Sequence, residues 1–330
     1  MSRAPIHAES RTARGAPPWL RENLPLIGMV LVLIAGGALV PSFFAFANLV
    51  SVAEQSTMLI ILAIGLSIPM LMRGVDLSVA QVTDAAALMA AALVTHNQPI
   101  ILAFLAPVIL GLANGTINGL LMGYVVVPAI RGTLGMMFAV RSGELIYSHG
   151  SEPQILFTLP ASLTAPFLFL GQGALGPVPM ILVVCLIIVV CMRVLTKSTV
   201  FGRQMDAVGG NVKAAFLSAV NVKKVFAGGF VLSGLLAAMA GVILASWTGI
   251  AAPRGAESYL LEAFVAVYLG TVTTRNAQVG VLGTVIGALF VGALNNQLTL
   301  LGLGAAQHNI LNGAFVLLAM AIGAFRRRRR

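Results

Sequence analysis

LPLIGMVLVLIAGGALVPSFFAF, the stretch Leu24–Phe46, contains no charged residue. An apolar run of this length has no place on a water-facing surface, but about 20 such residues in a helix match the hydrocarbon thickness of a bilayer. Outward from this stretch the pattern recurs. Further runs extend from after Glu54 to near Met72, over Leu77–Val94 and over Pro99–Tyr124. A shorter one, Gly132–Tyr147, holds Arg141 and Glu144. Then come Gly173–Met192, Val225–Thr248, the short Leu260–Thr273, Val279–Leu303 and Asn309–Phe325. The expected fold is all-α, a polytopic membrane protein with about ten transmembrane helices. Composition agrees. The chain is 58% hydrophobic and only 9% charged, whereas a soluble domain carries about a quarter charged residues. Its 35 glycines among 330 residues suit helices that approach closely in lipid.

Basic residues orient the spans. Arg3, Arg11, Arg14 and Arg21 precede the first run. Arg73, Arg131, the stretch with Arg193, Lys197, Arg203, Lys213, Lys223 and Lys224, then Arg275 and the tail Arg326–Arg330 alternate onto that same side, leaving Arg254 opposite. Cytoplasmic loops collect Lys and Arg, so both termini are expected in the cytoplasm. Trp19 and Tyr124 then belong at the inner interface, Tyr147 and Trp247 at the outer one. The N-terminal arginines, the first apolar run and Ala45-Phe46-Ala47 resemble a cleavable signal. That run exceeds a signal core and matches a full span, so it is expected to remain as an anchor. The expected divisions are a cytoplasmic tail 1–23, a transmembrane domain 24–325 and a basic tail 326–330.

The formal charge of +10 does not point to nucleic acid, because the terminal arginines follow an apolar segment and suit anionic lipid headgroups. A basic groove interleaved with aromatics is absent. Cys185 and Cys191 share one apolar run, and His7, His96, His149 and His308 are scattered. Neither set has the spacing of a metal site, so no metal ligand and no catalytic residue is expected. The chain carries no phosphate-binding loop G-x-x-x-x-G-K-[ST], no H-E-x-x-H and no G-x-S-x-G.

Two segments read as connections. Residues 148–172, with Pro153, Pro160 and Pro166, read as an outer loop lying on or dipping into the membrane. Residues 196–224 form the largest cytoplasmic segment. Within it a turn at Gly209-Gly210 is expected to precede a short amphipathic helix from Asn211 to Val220, with Asn211 as its cap.

Four features stand inside the spans. Gly111, Gly115, Gly119 and Gly123 recur every fourth residue, which lines them along one helix face beside Asn114 and Asn118. That face reads as close helix packing, with a gating or solute-lining role compatible with it. Asp76, in Gly74-Val75-Asp76-Leu77-Ser78, reads as a cap for the next helix, with a place on the translocation route as the alternative. Asp84 lies deeper, and Glu54 and Glu262 sit near helix starts. Arg141 and Glu144, three apart, are expected to pair and share their desolvation cost.

Over nearly its whole length from Asn48, the chain resembles the ribose-type sugar permease family of bacterial ABC importers. The blocks fall in family order. They are Gly74-Val75-Asp76-Leu77-Ser78-Val79; Asn114-Gly115, Asn118-Gly119-Leu120-Leu121, Val127-Pro128 and Thr133-Leu134-Gly135-Met136, with Arg141 at the place of the family's arginine; Phe169-Leu170-Gly171 and Pro177-Val178-Pro179; then Phe201-Gly202-Arg203, Val208-Gly209-Gly210-Asn211 and Ala214-Ala215; and Ser233-Gly234-Leu235-Leu236-Ala237 with Ala240-Gly241. The resemblance implies a multi-pass permease of the bacterial inner membrane that works in a homo- or heterodimer. A cytoplasmic ABC ATPase would carry ATP and magnesium, a periplasmic solute-binding protein would deliver the solute, and this chain would bind no cofactor itself. It also implies that Arg203, Gly209, Gly210, Asn211, Ala214 and Ala215 belong to the loop that docks the ATPase. Asp76, Asp84, Asn114, Asn118, Arg141 and Glu144 are the candidate pathway or gating residues. Two places depart from the pattern. Arg73 replaces the first glycine of the signature, and Thr271–Gln278 replaces a glycine- and serine-rich turn. The main rival is an ion-gradient-driven secondary transporter or channel, which would use carboxylates such as Asp76 and Asp84 at broken helices. An integral-membrane enzyme lacks a visible set of reacting groups, and a purely structural subunit would leave the docking-like loop unexplained.

Overall fold

Among the described residues the apolar runs are largely helical. The computed structural model describes residues 18–150, 152–274, 278–304, 306–315 and 317. Arg3, Arg11, Arg14, Arg275, Asn276, Ala277, the tail Arg326–Arg330 and the last expected run beyond 317 lie outside the described residues, as do the side chains of Trp19 and Arg21. In chain order the helices are α1 (Pro18–Leu39), α2 (Phe46–Leu71), α3 (Val79–Thr95), α4 (Ile100–Gly123), α5 (Ala129–Tyr147), α6 (Ala161–Gln172), α7 (Met180–Ser198), α8 (Val200–Gly210), α9 (Val212–Leu217), α10 (Val222–Thr248), α11 (Glu257–Thr273) and α12 (Val281–Leu300). Residues 306–315 are also helical. Five of these, α2, α4, α7, α10 and α12, are long and apolar enough to cross a membrane. The protein is thus an all-α polytopic membrane protein.

Several boundaries differ from expectation, each for a local reason. The first run breaks at Leu39, because Pro41 opens a 3-10 turn, Pro41–Phe44, and α2 starts at Phe46, taking Glu54 into its body. The sixth run is shortened by a two-stranded hairpin in which Ala174 pairs with Pro179 and Leu175 with Val178; Gly176 holds φ +62° at its turn. Residues 152–172, expected as part of an outer loop, are more structured than a loop. Gln154 and Ile155 pair with Ala251 and Ile250, and α6 buries Phe167.

α2 is buried around its circumference from Ser56 to Pro69, as a helix at the centre of a bundle must be. α10 runs beside it in the opposite direction: Gly65 abuts Ser233 and Leu236, and Gly229 abuts Ile68 and Met72. Around this pair the chain repeats one arrangement. A long helix (α2, α10) ends in a left-handed residue, Arg73 at φ +63° or Gly249 at φ +69°. A non-helical stretch follows, then a short helix (α3, α11) and a further long one (α4, α12). The two sets exchange contacts: α3 packs on α4 and α10, α11 on α12 and α2, α4 on α10, and α12 on α2. This is the geometry of an inverted repeat with its breaks inside the bundle.

The α4–α10 seam is built on backbone contact. A Cβ at Gly115 would lie 2.5 Å from the Phe230 carbonyl oxygen; at Gly119 and Gly123 it would lie 2.6 Å from those of Ala227 and Lys223. Gly111 meets Gly234 and Ala238 in the same way. Without side chains on that face the two helices close to van der Waals contact, which is how helices associate where lipid supplies no hydrophobic drive.

Candidate functional site

The two breaks place polar groups where water is excluded, so each exposed backbone donor needs a partner inside the protein. At the first break Asp76 supplies it. Its Oδ1 accepts the Ser78 N–H at 3.0 Å and the Ser78 hydroxyl at 2.6 Å, and its Oδ2 accepts the Ser233 hydroxyl of α10 at 2.9 Å. Asn118 donates toward Ser78 Oγ at 3.0 Å and Asn114 Oδ1 at 3.3 Å, with Asp76 Oδ1 at 3.4 Å. All five residues are buried. Asp76 thus serves the start of α3 from two residues ahead of the cap position, Ser78, and also joins α3, α4 and α10. At the second break the donor is the Ala256 N–H at the start of α11, and it bonds to Asp84 Oδ1 on α3. Each short helix therefore begins against a buried carboxylate, where the helix dipole favours one.

Arg141 and Glu144 do not pair. Arg141 Nη1 lies 3.3 Å from Glu257 Oε1 at the first turn of α11, and Arg254 Nε holds Glu257 Oε2 at 2.7 Å. Glu144 is turned to the buried side of α5, near the Ala85 amide, with neither oxygen in a well-formed hydrogen bond. The reason is directional: Arg141 points to the partly exposed side where Glu257 lies, whereas Glu144 faces the buried side.

Glu144 and Asn114 line a cleft of about 770 Å³ between α3, α4 and α5. Its walls are mostly apolar, including Leu88, Leu110 and Met136, and its mouth carries His96, Gln98 and Tyr147. Beyond the cleft, α5 leaves Ile130, Leu134, Phe138, Ser142 and Ile146 exposed. The arrangement is a mostly apolar cleft with two inward polar groups, Asn114 and Glu144, and among the described residues no His, Cys, Asp and Glu group has metal-binding geometry.

The segment after α7 is a pair of capped helices. Thr199 accepts the Gly202 N–H, Asn211 accepts the Ala214 N–H at 3.0 Å and Asn221 accepts the Lys224 N–H at 3.1 Å. Gly209 and Gly210 are not a turn; they complete α8, and the elbow falls at Asn211. Gly209 must lack a side chain because its Cα lies against the Leu71 carbonyl. Arg203 sits on α8, whereas Ala214 and Ala215 sit on α9, with Ala215 buried. Sequence reading missed Ser78 and Ser233 as partners of Asp76, and missed Glu257. It also missed Thr199, although a threonine before a helical run was a legible cap signal.

Comparison with known proteins accords with this geometry. The chain is similar to the ribose import permease protein RbsC of Escherichia coli (strain K12), 33% identical over 304 residues, covering 92% of this chain and 94% of the relative. The ribose import permease protein RbsC of Bacillus subtilis (strain 168) is 32% identical, covering 90% and 91%. The autoinducer 2 import system permease protein LsrC of Escherichia coli (strain K12 / DH10B) is 30% identical, covering 92% and 86%. No solved structure matches the chain. A polytopic bundle with broken, carboxylate-capped helices, a match over residues 48–322 to one family model and relatives aligned over at least 90% of this chain lead to one conclusion: the chain belongs to the family of the branched-chain amino acid transport system permease component, and it is a membrane permease.

Proposed function

We propose that this permease imports a sugar or sugar-like small polar solute, driven by a separate cytoplasmic ATPase that binds ATP and magnesium. In this reading it crosses the inner membrane about ten times with both termini inside. It pairs with a second permease and receives solute from a periplasmic binding protein. The observation that carries the proposal is the α8–α9 elbow. On the side rich in Lys and Arg, α9 presents Val212, Phe216 and Leu217, exposed to 47%, 69% and 76%, on six residues that include Lys213 and precede Lys223 and Lys224. Large apolar side chains clustered on a surface with no lipid to cover them mark a docking surface. The relatives' printed roles support the solute class. The path itself is assigned to the exposed face of α5, with Asn114, Asn118, Asp76, Asp84, Arg141 and Glu144 behind it. α5 is not apolar enough to rank with the membrane-crossing five, and a helix with Arg131 and Ser142 on its open face suits a partner or water better than lipid.

The test is purification of the tagged chain from its native membrane in mild detergent, with mass spectrometry of what accompanies it. The reconstituted assembly is then assayed for uptake of labelled pentoses, hexoses and sugar alcohols with ATP on the cytoplasmic face. A stoichiometric P-loop ATPase and ATP-dependent uptake are expected. A homo-oligomer that transports on a proton or sodium gradient without an ATPase would overturn the proposal in favour of a secondary transporter.

A further inference from the structure

α2 closes with a Schellman motif: the Gly74 N–H bonds to the Pro69 carbonyl at 2.9 Å and the Arg73 N–H to that of Met70 at 3.1 Å. The motif needs a left-handed residue after the cap, a place that glycine normally takes because it has no Cβ to clash. Here Arg73 occupies it at φ +63°, a conformation unfavourable to any branched or long side chain. The structure shows what offsets that strain. Arg73 Nε donates to the Gly209 carbonyl at 2.9 Å and Nη2 to the Gly210 carbonyl at 3.0 Å. These are terminal carbonyls of α8, where a cation is favoured by the helix dipole and by free acceptors. Three residues further on, Asp76 is fastened to Ser78 and Ser233, and between them the Val75 carbonyl accepts the Thr133 hydroxyl of α5 at 3.2 Å.

We infer that Arg73 is a positioning residue that ties the α8–α9 elbow to the buried break between α2 and α3, so that displacement of the elbow is carried to Asp76 and α5. Gly209 packs directly on the Leu71 carbonyl, so the elbow and the end of α2 move as one body at that point. The guanidinium extends this body to the far side of the helix end. From there only two residues, Gly74 and Val75, lead to the Asp76 cluster. A glycine at position 73 would relax the backbone and cut the link. The inference rests on the reading of the elbow as the ATPase dock for its role in transport, but the mechanical link itself does not.

The experiment is hydrogen exchange of the full-length permease in nanodiscs, read by mass spectrometry, on wild type, Arg73→Gly, Arg73→Lys and Asn211→Ala. Removing the Asn211 cap loosens the elbow locally. The expected result is that Asn211→Ala also speeds exchange at Val75–Ser78, about tenfold, and that this remote effect shrinks severalfold when Arg73→Gly is combined with it, the Gly209–Leu71 contact carrying what remains. Arg73→Lys, which keeps one charged donor, is expected to restore part of the coupling. Unchanged exchange at Val75–Ser78 in Asn211→Ala would overturn the inference, as would an equal effect with and without Arg73. Arg73→Gly is expected to melt no earlier than wild type, so loss of folding does not obscure the result; if it does melt earlier, the comparison is made on Arg73→Lys, where the remote effect must be reduced. In the assembled transporter Arg73→Gly is expected to keep its ATPase but to move less solute per ATP hydrolysed. Absence of an ATPase from the wild-type preparation overturns the docking reading alone, and the exchange result still decides the link.

Discussion

Replacing Gly115 with alanine adds one methyl group to the seam between α4 and α10. The new carbon would sit 2.5 Å from the Phe230 carbonyl oxygen and 2.8 Å from the Val231 Cα. A comfortable carbon–oxygen approach is about 3.3–3.6 Å, so the helices must part by close to an ångström or distort. On an unconstrained helix the same substitution stabilises, by about 1 kcal/mol, because alanine is the better helix former. Overpacking a close contact costs about 1–3 kcal/mol. With a contact this short the packing cost falls in the upper part of its range and exceeds the propensity gain, so the net effect is destabilisation of up to about 2 kcal/mol. Gly28 on α1 is the control, since nothing lies within 4 Å of a Cβ built there; its alanine variant is expected to be neutral or more stable. Thermal unfolding of both variants in one detergent, followed by circular dichroism, reads the difference as opposite signs of shift. A Gly115→Ala protein as stable as Gly28→Ala would show that the seam is not close-packed, and the reading of the glycine stripe would fall with it.

Three further outcomes are expected. Asp76→Ala leaves the Ser78 and Ser233 hydroxyls and the Asn118 amide without their shared acceptor in a dry interior, at a cost of about 1–3 kcal/mol; Asp76→Asn, which keeps one acceptor oxygen, costs less, and unfolding in detergent ranks the two. Glu257→Gln breaks both ion pairs, but with the three side chains 26%, 37% and 54% exposed the stability loss stays under ~1 kcal/mol. Its larger effect is to free the outer part of α5, read as faster maleimide labelling of Ser142→Cys in a background lacking Cys185 and Cys191; unchanged labelling contradicts that tether. Phe216→Ser together with Leu217→Ser removes the apolar knob of α9 without touching its caps. Membrane insertion and melting temperature should hold while ATPase capture is lost, and retained capture would move the dock elsewhere.

What was legible in the sequence is what helix geometry repeats. An apolar run of bilayer length reads as a helix wherever it occurs, and a four-residue glycine period marks one face, because both properties belong to a single element. Asn211 was legible as a cap for the same reason, its acceptor and donor being three residues apart. Boundaries failed where one residue changes the backbone: Pro41 stops a run that remains apolar, and Gly176 folds a hairpin out of what looked like a span. Gly209-Gly210 read as a turn but end a helix, since the packing of Gly209 on Leu71, and not flexibility, calls for glycine.

The sequence by itself determined that this is a helical membrane protein, where its apolar runs lie and which face of α4 is smooth. Only the tertiary structure decided which polar groups meet. Asp84 finds Ala256 across 172 residues, Asp76 finds Ser233 across 157, Arg73 finds Gly209 across 136, and Arg141 finds Glu257 across 116 rather than Glu144 three places on. No local period encodes such pairs. The two aspartate pairs follow from two sets of helices packing in opposite directions, which brings the broken ends of each against the other, where an unpaired backbone group costs several kcal/mol and the nearest carboxylate, however distant along the chain, becomes its partner.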